Sequence, residues 1–178
     1  MQRCFMFHKD QLPDLVLYEL WDRVVDSGTE RATFPGGEAT DHISFRNLVR
    51  RDCNDVFVVF YEGEPGGIIW LNDRRERSAR VHFTVFRNYW GRSSDELPAS
   101  LKMGRYAVAR LMRETGLDVL IGFTPMDNRL ACKYVQRVGA RPVGVMPKAA
   151  WNARTGMSEE ALVTAITLET TEDEWLLY

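Results

Sequence analysis

The sequence has few cysteines, no long apolar run and no large excess of charge of either sign. Its three cysteines, Cys4, Cys53 and Cys132, form no C-x-x-C pair, which argues against a zinc site or a disulfide framework. Reduced thiols in the cytoplasm are therefore the simpler expectation. The longest apolar runs, such as 56–61 and 119–124, have the length of strands, so no membrane span is predicted. The opening residues MQRCFMFHKD predict no secretory signal, because they lack a long apolar core and a small-residue cleavage site.

The charge balance limits the classes of partner. Lysine and arginine total 23 against 25 aspartates and glutamates, giving a net charge of −2. Nucleic acid is not favoured, because chains that bind it usually carry a basic surface. The hydrophobic content of 45% over 178 residues predicts one globular domain, 1–178, with a substantial core. No residue spacing indicates a metal site.

The pattern of apolar and turn residues predicts the order of the elements. Strands are predicted over 3–8, 56–62, 67–72, 80–86, 117–124, 141–146 and 161–169. Helices are predicted over 12–25, 41–51, 97–115 and 127–138. RATFPGGEAT is predicted to be a loop and DRRER a hairpin turn, whereas the terminal EWLLY is an edge, a tail or a contact surface. A strand–helix–strand crossover forces a parallel pair, so the fold class is α+β, with a mixed central sheet of about 6–7 strands and helices on both faces.

The junction TPMDNRLACKYVQRVGARPVG joins a strand, a helix and another strand without slack. Asp127 is the predicted N-cap of the helix, and Gly139 lies just past its end. Packing explains the helix and the glycine. It leaves open whether Asn128, at the exit from the strand, caps the helix or binds a ligand.

The element order and this junction resemble the GNAT superfamily of acetyl-CoA-dependent N-acyltransferases. The likeness is sharpest at Asn128, Ala131 and Gly139, although Ala140 replaces the usual aromatic residue after the glycine. The resemblance covers nearly the whole chain in element order. It implies a GNAT-like three-layer fold and acetyl-CoA as co-substrate. It also implies that Asn128, with Ala131 beside it, either contacts the pantetheine arm or supports the splayed strands that admit it.

The resemblance also implies a pyrophosphate loop after the strand that ends near Val85. In the family, backbone N–H groups at the start of the following helix hold the phosphates. The residues at the matching positions are Val85, Phe86, Gly91, Arg92, Ser93 and Ser94. The second glycine of the family pattern is missing, and two acidic residues follow at 95–96, so the loop is degenerate.

Two residues are candidates for proton transfer. His82 lies in the strand RVHFTVF, where alternation puts it on the face opposite Val81, Phe83 and Val85. It is either a base for the acceptor amine or a structural histidine. Tyr134 is the candidate general acid, although the family places its tyrosine one position later, and core packing is the competing interpretation.

The segment AAWNARTGMS lies where the family often borders its acceptor pocket. Trp151 and Arg154 are the substrate-binding candidates, since an exposed tryptophan beside an arginine suits an aromatic or anionic acceptor. A tryptophan in a loop is also often a cover on the core.

The resemblance therefore implies transfer of an acetyl group from acetyl-CoA to the primary amine of an unknown acceptor. The alternative is a catalytically inactive GNAT-fold protein that binds or assembles, with EWLLY as a contact surface. A homodimer is a possible assembly for either. A different α+β fold would predict that 117–124 is not adjacent and parallel to 80–86.

Overall fold

The computed structural model describes residues 3–34, 36–90, 97–152 and 155–178. Seven strands are found among them: β1 (Cys4–His8), β2 (Asp55–Tyr61), β3 (Glu64–Arg75), β4 (Ser78–Val85), β5 (Val119–Pro125), β6 (Arg141–Asn152) and β7 (Met157–Thr167). Five α-helices accompany them: α1 (Asp14–Asp26), α2 (Glu30–Thr33), α3 (His42–Val49), α4 (Ala99–Thr115) and α5 (Arg129–Val138). Within these described ranges, no helix combines the length and the apolar character needed to cross a membrane.

The strands form one mixed sheet in the order β1-β2-β3-β4-β5-β7-β6. β4 and β5 are parallel, and every other neighbouring pair is antiparallel. The predicted α+β class with a mixed sheet is confirmed. The parallel pair also excludes the alternative fold, in which 117–124 and 80–86 are not neighbours.

A hydrophobic core lies on each face of the sheet, because strand side chains alternate between the two faces. We call the face that packs against α1, α2 and α3 the α1–α3 face; its core includes Trp21, Phe34, Phe45 and Ile68. The opposite face packs mainly against α4, and Tyr134 and Val138 of α5 join its core. The predicted helices on both faces are therefore confirmed.

Local sequence signals set the helix ends that position the sheet. Asp41 caps α3 by accepting a hydrogen bond from the Ser44 N–H at 2.7 Å, and Ser44 completes the capping box. Gly116 ends α4 in the left-handed conformation at φ 68°, which glycine adopts without steric cost.

Several element bounds differ from the predicted ones, and three of these differences have a local cause. Glu30–Thr33 is a short helix inside the predicted loop, a single turn too brief to show a period in the sequence. The predicted DRRER turn is shorter, because β3 and β4 pair as far as Arg75 and Ser78. β6 continues to Asn152 because a bulge between Met146 and Ala150 restores the pairing after a break in the alternation.

The terminal EWLLY belongs to the fold. It forms a 3₁₀ helix, Asp173–Leu177, in which Trp175 is only 3% exposed. The guanidinium of Arg105 lies 5.2 Å from the centre of a Trp175 ring. The Tyr178 carbonyl accepts hydrogen bonds from the N–H groups of Arg3 and Cys4, at 2.6 and 2.8 Å. These contacts tie the C-terminal segment to the start of β1 and to α4.

Candidate functional site

The central feature is a gap between the two parallel strands. β4 and β5 pair through Ser78–Val119, Ala79–Leu120 and Arg80–Ile121 and, within the described chain, nowhere else. Both strands then continue, to Val85 and Pro125. We call the space between residues 81–85 and 122–125 the β4–β5 opening.

The backbone of β4 directs polar groups into this opening. The Phe86 N–H donates to the Gly66 carbonyl at 3.0 Å, which continues the β3–β4 ladder. In an antiparallel ladder the residues on either side of such a pair turn their N–H and C=O groups away from the partner strand. Val85, which is opposite Gly67, therefore presents its N–H and C=O to the opening. Phe83, two residues earlier in β4, likewise presents its N–H and C=O to the opening.

Trp90 already makes a hydrogen bond to one of these groups. Its indole N–H donates to the Val85 carbonyl at 2.8 Å. The side chain is half-exposed, at 50% of its accessible surface. The indole is thus a polar contact at the mouth of the opening that solvent could take over.

Tyr134 lies on the α4 side of the sheet. Its ring stacks on Phe83 with the centroids 5.9 Å apart and the planes at 11°. Its hydroxyl donates to the Ser100 carbonyl at 2.7 Å, and burial raises the pKa of the phenol well above its usual value. The structure thus gives Tyr134 a bonded position between α5 and α4, and its predicted role as an acid remains a prediction.

His82 lies on the α1–α3 face, as the alternation of β4 predicts. Its ring stacks on Trp70 at 4.9 Å and 3°, and its Nε2 lies 3.1 Å from Oδ1 of Asn72. Burial, with a smaller effect from the positive charge of Arg80, lowers the pKa of His82 to about 4. The imidazole is therefore neutral at pH 7, and it is a weak base.

Arg80 crosses the closed end of the opening. Its guanidinium carbon lies 4.8 Å from the centre of the Phe123 ring on β5. Nη1 is 4.0 Å from a carboxylate oxygen of Asp73, a long contact for an ion pair. The Arg80 charge thus lies at the point where the two strands separate.

At the start of α5 the structure corrects one prediction. The N-cap is Asn128, and not Asp127, because Asn128 Oδ1 accepts the Ala131 N–H at 3.1 Å. Asp127 instead accepts a hydrogen bond from Asn152 on β6 at 3.2 Å. Asn128 lies shortly after the end of β5 and Ala131 in the first turn of α5, and their predicted contact to a ligand remains untested.

The remaining predicted site residues lie on β6 or outside the described residues. Trp151 is on β6 and 46% exposed. Arg154 and the predicted phosphate-loop residues Gly91, Arg92, Ser93 and Ser94 lie outside the described residues. An open groove of about 400 Å³ lies beyond the end of β5, on the side away from β4; it is lined by Met126, Pro147, Lys148, Ser158, Glu159 and Glu160. In the described ranges, no three His, Cys, Asp or Glu side chains converge as a metal site would require.

The topology brings the predicted residues of β4 and α5 to one edge of the sheet. Val85 ends β4 and Phe86 follows it, and Asn128 comes shortly after β5; because the two strands are parallel, their carboxyl ends lie at the same edge. Neither Trp90 nor Arg80 was among the predicted site residues. Alternation along β4 would have placed Arg80 on the face of His82, but no sequence signal predicts the bond from Trp90 to Val85.

Comparisons with known proteins give a fold. No protein-family model matches the sequence, and no curated protein matches it. The ribosomal L7/L12 alpha-N-protein acetyltransferase in complex with coenzyme A is similar, with a TM-score of 0.74 at 12% identity over 96% of this chain and 97% of that one. The ribosomal-protein-S5-alanine acetyltransferase of Vibrio fischeri gives 0.72 at 9% identity, covering 97% of each chain. The microcin C7 self-immunity acetyltransferase, in complex with acetyl-CoA and AMP, gives 0.69 at 14% identity over 93% of this chain and 92% of that one.

At such low identity the likeness establishes the fold alone. This chain has the fold that these acetyltransferases share, the GNAT fold, along almost its whole length. The fold predicted from the resemblance at Asn128 and Gly139 is confirmed.

Proposed function

We propose that this GNAT-fold chain transfers an acetyl group from acetyl-CoA to a primary amine, which attacks the thioester directly. The observation that carries the proposal is the β4–β5 opening, with the N–H and C=O of Val85 directed into it. Solved structures of the same fold hold coenzyme A or acetyl-CoA, and this supports the same co-substrate here.

The backbone of the opening fits a ligand with amide groups. A strand edge without a partner binds an extended chain through alternating N–H and C=O groups, and the pantetheine arm of CoA is such a chain. Acetyl-CoA would supply the activated acetyl thioester. In this proposal the Val85 N–H donates to the thioester carbonyl and stabilises the negative charge that develops there. The Phe86 N–H is already bonded to Gly66.

The residues on the two faces have separate tasks. The acceptor approaches from the α1–α3 face, where a neutral His82 is bonded to Asn72. We propose that His82 orients the amine, or a water beside it, and receives its proton; the low pKa makes this a modest contribution beside the orientation of the two substrates. Tyr134 and the phosphate loop at 91–94 keep the roles that the family resemblance implies for them.

Isothermal calorimetry with acetyl-CoA tests the proposal. We expect one binding site per chain, followed by release of the CoA thiol when a suitable amine is added. Absence of heat at about 200 μM ligand, with the protein shown to be folded, would limit any affinity to the millimolar range and contradict the proposal.

Absence of acetyl-CoA binding would favour the alternative, a GNAT-fold protein without acetyl transfer. The alternative relied on EWLLY as a contact surface, but Trp175 in this segment is buried against the chain itself. A change at Trp175 would therefore perturb the fold before it tested any assembly.

A homodimer is the assembly we propose. β6 is one of the two edge strands of the sheet, and its exposed apolar side chains include Val143, Val145 and Met146, a surface that natural edge strands usually cover. Light scattering should give the mass of two 20.5 kDa chains; the mass of one chain would contradict this. We place the protein in the cytoplasm, where thiols such as the exposed Cys53 stay reduced.

A further inference from the structure

Buried polar atoms without a partner are rare in native proteins, and each one calls for an explanation. Within the described ranges, three side-chain atoms are of this kind: Oε2 of Glu30, Nε of Arg80 and Nε of Arg105. Arg105 lies under Trp175 on the α4 side. Glu30 and Arg80 have opposite charges, and the contacts below place both on the α1–α3 face.

Glu30 lies over the end of β4. The Ser27 hydroxyl accepts the Arg87 N–H at 3.1 Å, and the hydroxyls of Thr33 and Thr84 are 2.9 Å apart. The segment from Ser27 to Thr33 thus runs along the last residues of β4, with Glu30 between its two attachment points. Residues three apart share a helix face, so Glu30 faces the sheet as Thr33 does.

Arg80 lies at the other end of the same strand. Its position in β4 is two residues before His82 and four before Thr84, so the three side chains share one face. The Arg80 guanidinium reaches across to Phe123 and marks the closed end of the opening. Glu30 lies towards the other end of the strand, between the attachments of its segment to Thr84 and Arg87.

A column of aromatic rings lies on the same face of the sheet. Phe34, at the end of α2, stacks on Trp70 at 6.0 Å, and Trp70 stacks on His82 at 4.9 Å. These rings form an apolar wall on the α1–α3 face. Along it, each charge has one buried atom whose hydrogen-bonding capacity is unused in the described residues.

We propose that Glu30 and Arg80 bind the two ends of one acceptor, which carries an ammonium group and, some distance from it, an anionic group. This inference rests on the proposed acetyl transfer and specifies its acceptor class. The Glu30 carboxylate contacts the ammonium beside Val85, where the amine must attack. The Arg80 guanidinium contacts the anion, in place of its long contact to Asp73.

The binding chemistry explains why the unpaired atoms are tolerated. A buried polar atom with unused hydrogen-bonding capacity costs free energy in the empty protein; here the atoms are Oε2 of Glu30 and Nε of Arg80, in side chains that are otherwise partly exposed. A ligand of complementary charge removes this cost on binding, and a ligand that lacks one charge leaves one of the two groups unpaired. The site therefore discriminates against acceptors with only one of the charges.

A series of ω-amino acids, from glycine to 8-aminooctanoic acid, tests the inference. Each acid is titrated by NMR with and without CoA, beside its primary amide, which lacks the anion. We expect one chain length to bind best, and its amide to bind about tenfold more weakly. Equal binding of the acid and the amide at every length would overturn the inference, without depending on any variant.

Two variants assign the charges to the two residues. Arg80→Gln should reduce the affinity for the best acid to that for its amide, while the amide is bound as before. Glu30→Gln should weaken both ligands. The matched controls are Arg141→Gln and Glu19→Gln, at exposed positions, which should leave both affinities unchanged. If Arg80→Gln keeps the preference for the acid, the assignment is wrong.

The outcome is separable from that of the proposed function. Acetyl-CoA binding without any preference among the probes would overturn the acceptor inference and leave acetyl transfer standing. A preference for the acid that Arg80→Gln removes, in a chain that does not bind acetyl-CoA, would support the zwitterion site and contradict the transfer.

Discussion

Trp90 holds the carbonyl that an incoming ligand would use. Because its indole N–H donates to the Val85 carbonyl at 2.8 Å, a pantetheine amide must displace it before bonding there. Trp90→Phe removes the donor and keeps a ring. We expect acetyl-CoA to bind this variant about two- to tenfold more tightly, the factor that a hydrogen bond of roughly 0.5–1.5 kcal/mol would give.

Trp151→Phe is the control for this measurement. Trp151 is similarly exposed, at 46%, but lies on β6, away from the opening. Its affinity in calorimetry should equal that of the unmodified chain. Weaker binding by Trp90→Phe would show that the indole contacts the ligand and does not compete with it.

His82 makes stability depend on pH in a defined direction. Its pKa is lowered from 6.5 to about 4 in the folded chain, chiefly by burial. Between these values the unfolded chain binds the proton and the folded chain does not, so the free energy of unfolding falls as the pH is lowered from 6.5 towards 4. The full effect is on the order of 3 kcal/mol.

His82→Phe keeps the ring on Trp70 and removes the titration. We expect urea unfolding to show that the variant becomes more stable relative to the unmodified chain as the pH is lowered from 7 to 4.5. The quantity compared is the difference in free energy of unfolding between the two proteins. Other ionisable groups cancel in this difference. A gap that stays constant would show that His82 titrates alike in the folded and unfolded chains.

At this scale the sequence predicted some residues and missed others for a physical reason. The placement of His82 follows from alternation within one strand, and Asn128 from its position after a strand. Glu30 and Arg80 are brought to the same strand, β4, through contacts between α2, β4 and β5. Such contacts depend on three elements that are distant in sequence, so no local pattern predicts them.

The packing of α4 against α5 depends on a glycine at their closest approach. A Cβ at Gly104 would overlap the Tyr134 hydroxyl and lie 2.8 Å from Cγ2 of Val138. Gly104→Ala should therefore destabilise the chain by about 1–3 kcal/mol, although alanine favours a helix by up to about 1 kcal/mol. Denaturant unfolding measures this change.

Tyr134→Phe distinguishes overlap from a general effect of the substitution. Because the nearest atom is the Tyr134 hydroxyl, the double variant should cost less than the sum of the two single variants. Strict additivity would mean that the two sites do not touch.

The C-terminal 3₁₀ helix is the second element whose role is testable. Trp175 is buried and lies 2.8 Å from where a Cβ on Gly139 would stand, so it closes the end of α5. Trp175→Ala should cost about 3–5 kcal/mol. Leu177→Ala, at a side chain that is 75% exposed, should stay within about 0.5 kcal/mol of the unmodified chain. Equal losses in the free energy of unfolding for the two variants would show that Trp175 does not pack in the core.

Element positions were predictable where the pattern was long and regular. The 17-residue helix α4 has a clear helical period, and β2 is a continuous apolar run; both were predicted within two residues at each end. The bulge in β6 and the single turn of α2 were not, since a bulge breaks the alternation and one turn has no period.

On the scale of the whole molecule, the fold was predictable because it follows from element order. A strand–helix–strand crossover requires a parallel pair, and here that pair is β4 and β5. The opening is a consequence of how far the pairing extends. Three residue pairs form and then stop, and the sequence pattern carries no signal of where the pairing ends.

The central claim is that the β4–β5 opening binds the thioester of acetyl-CoA. A crystal structure of the chain with acetyl-CoA, or with a non-hydrolysable analogue, tests it most directly. We expect the pantetheine arm between residues 81–85 and 122–125, and the thioester carbonyl oxygen within about 3.2 Å of the Val85 nitrogen. A ligand bound elsewhere, with the opening unchanged, would contradict the account.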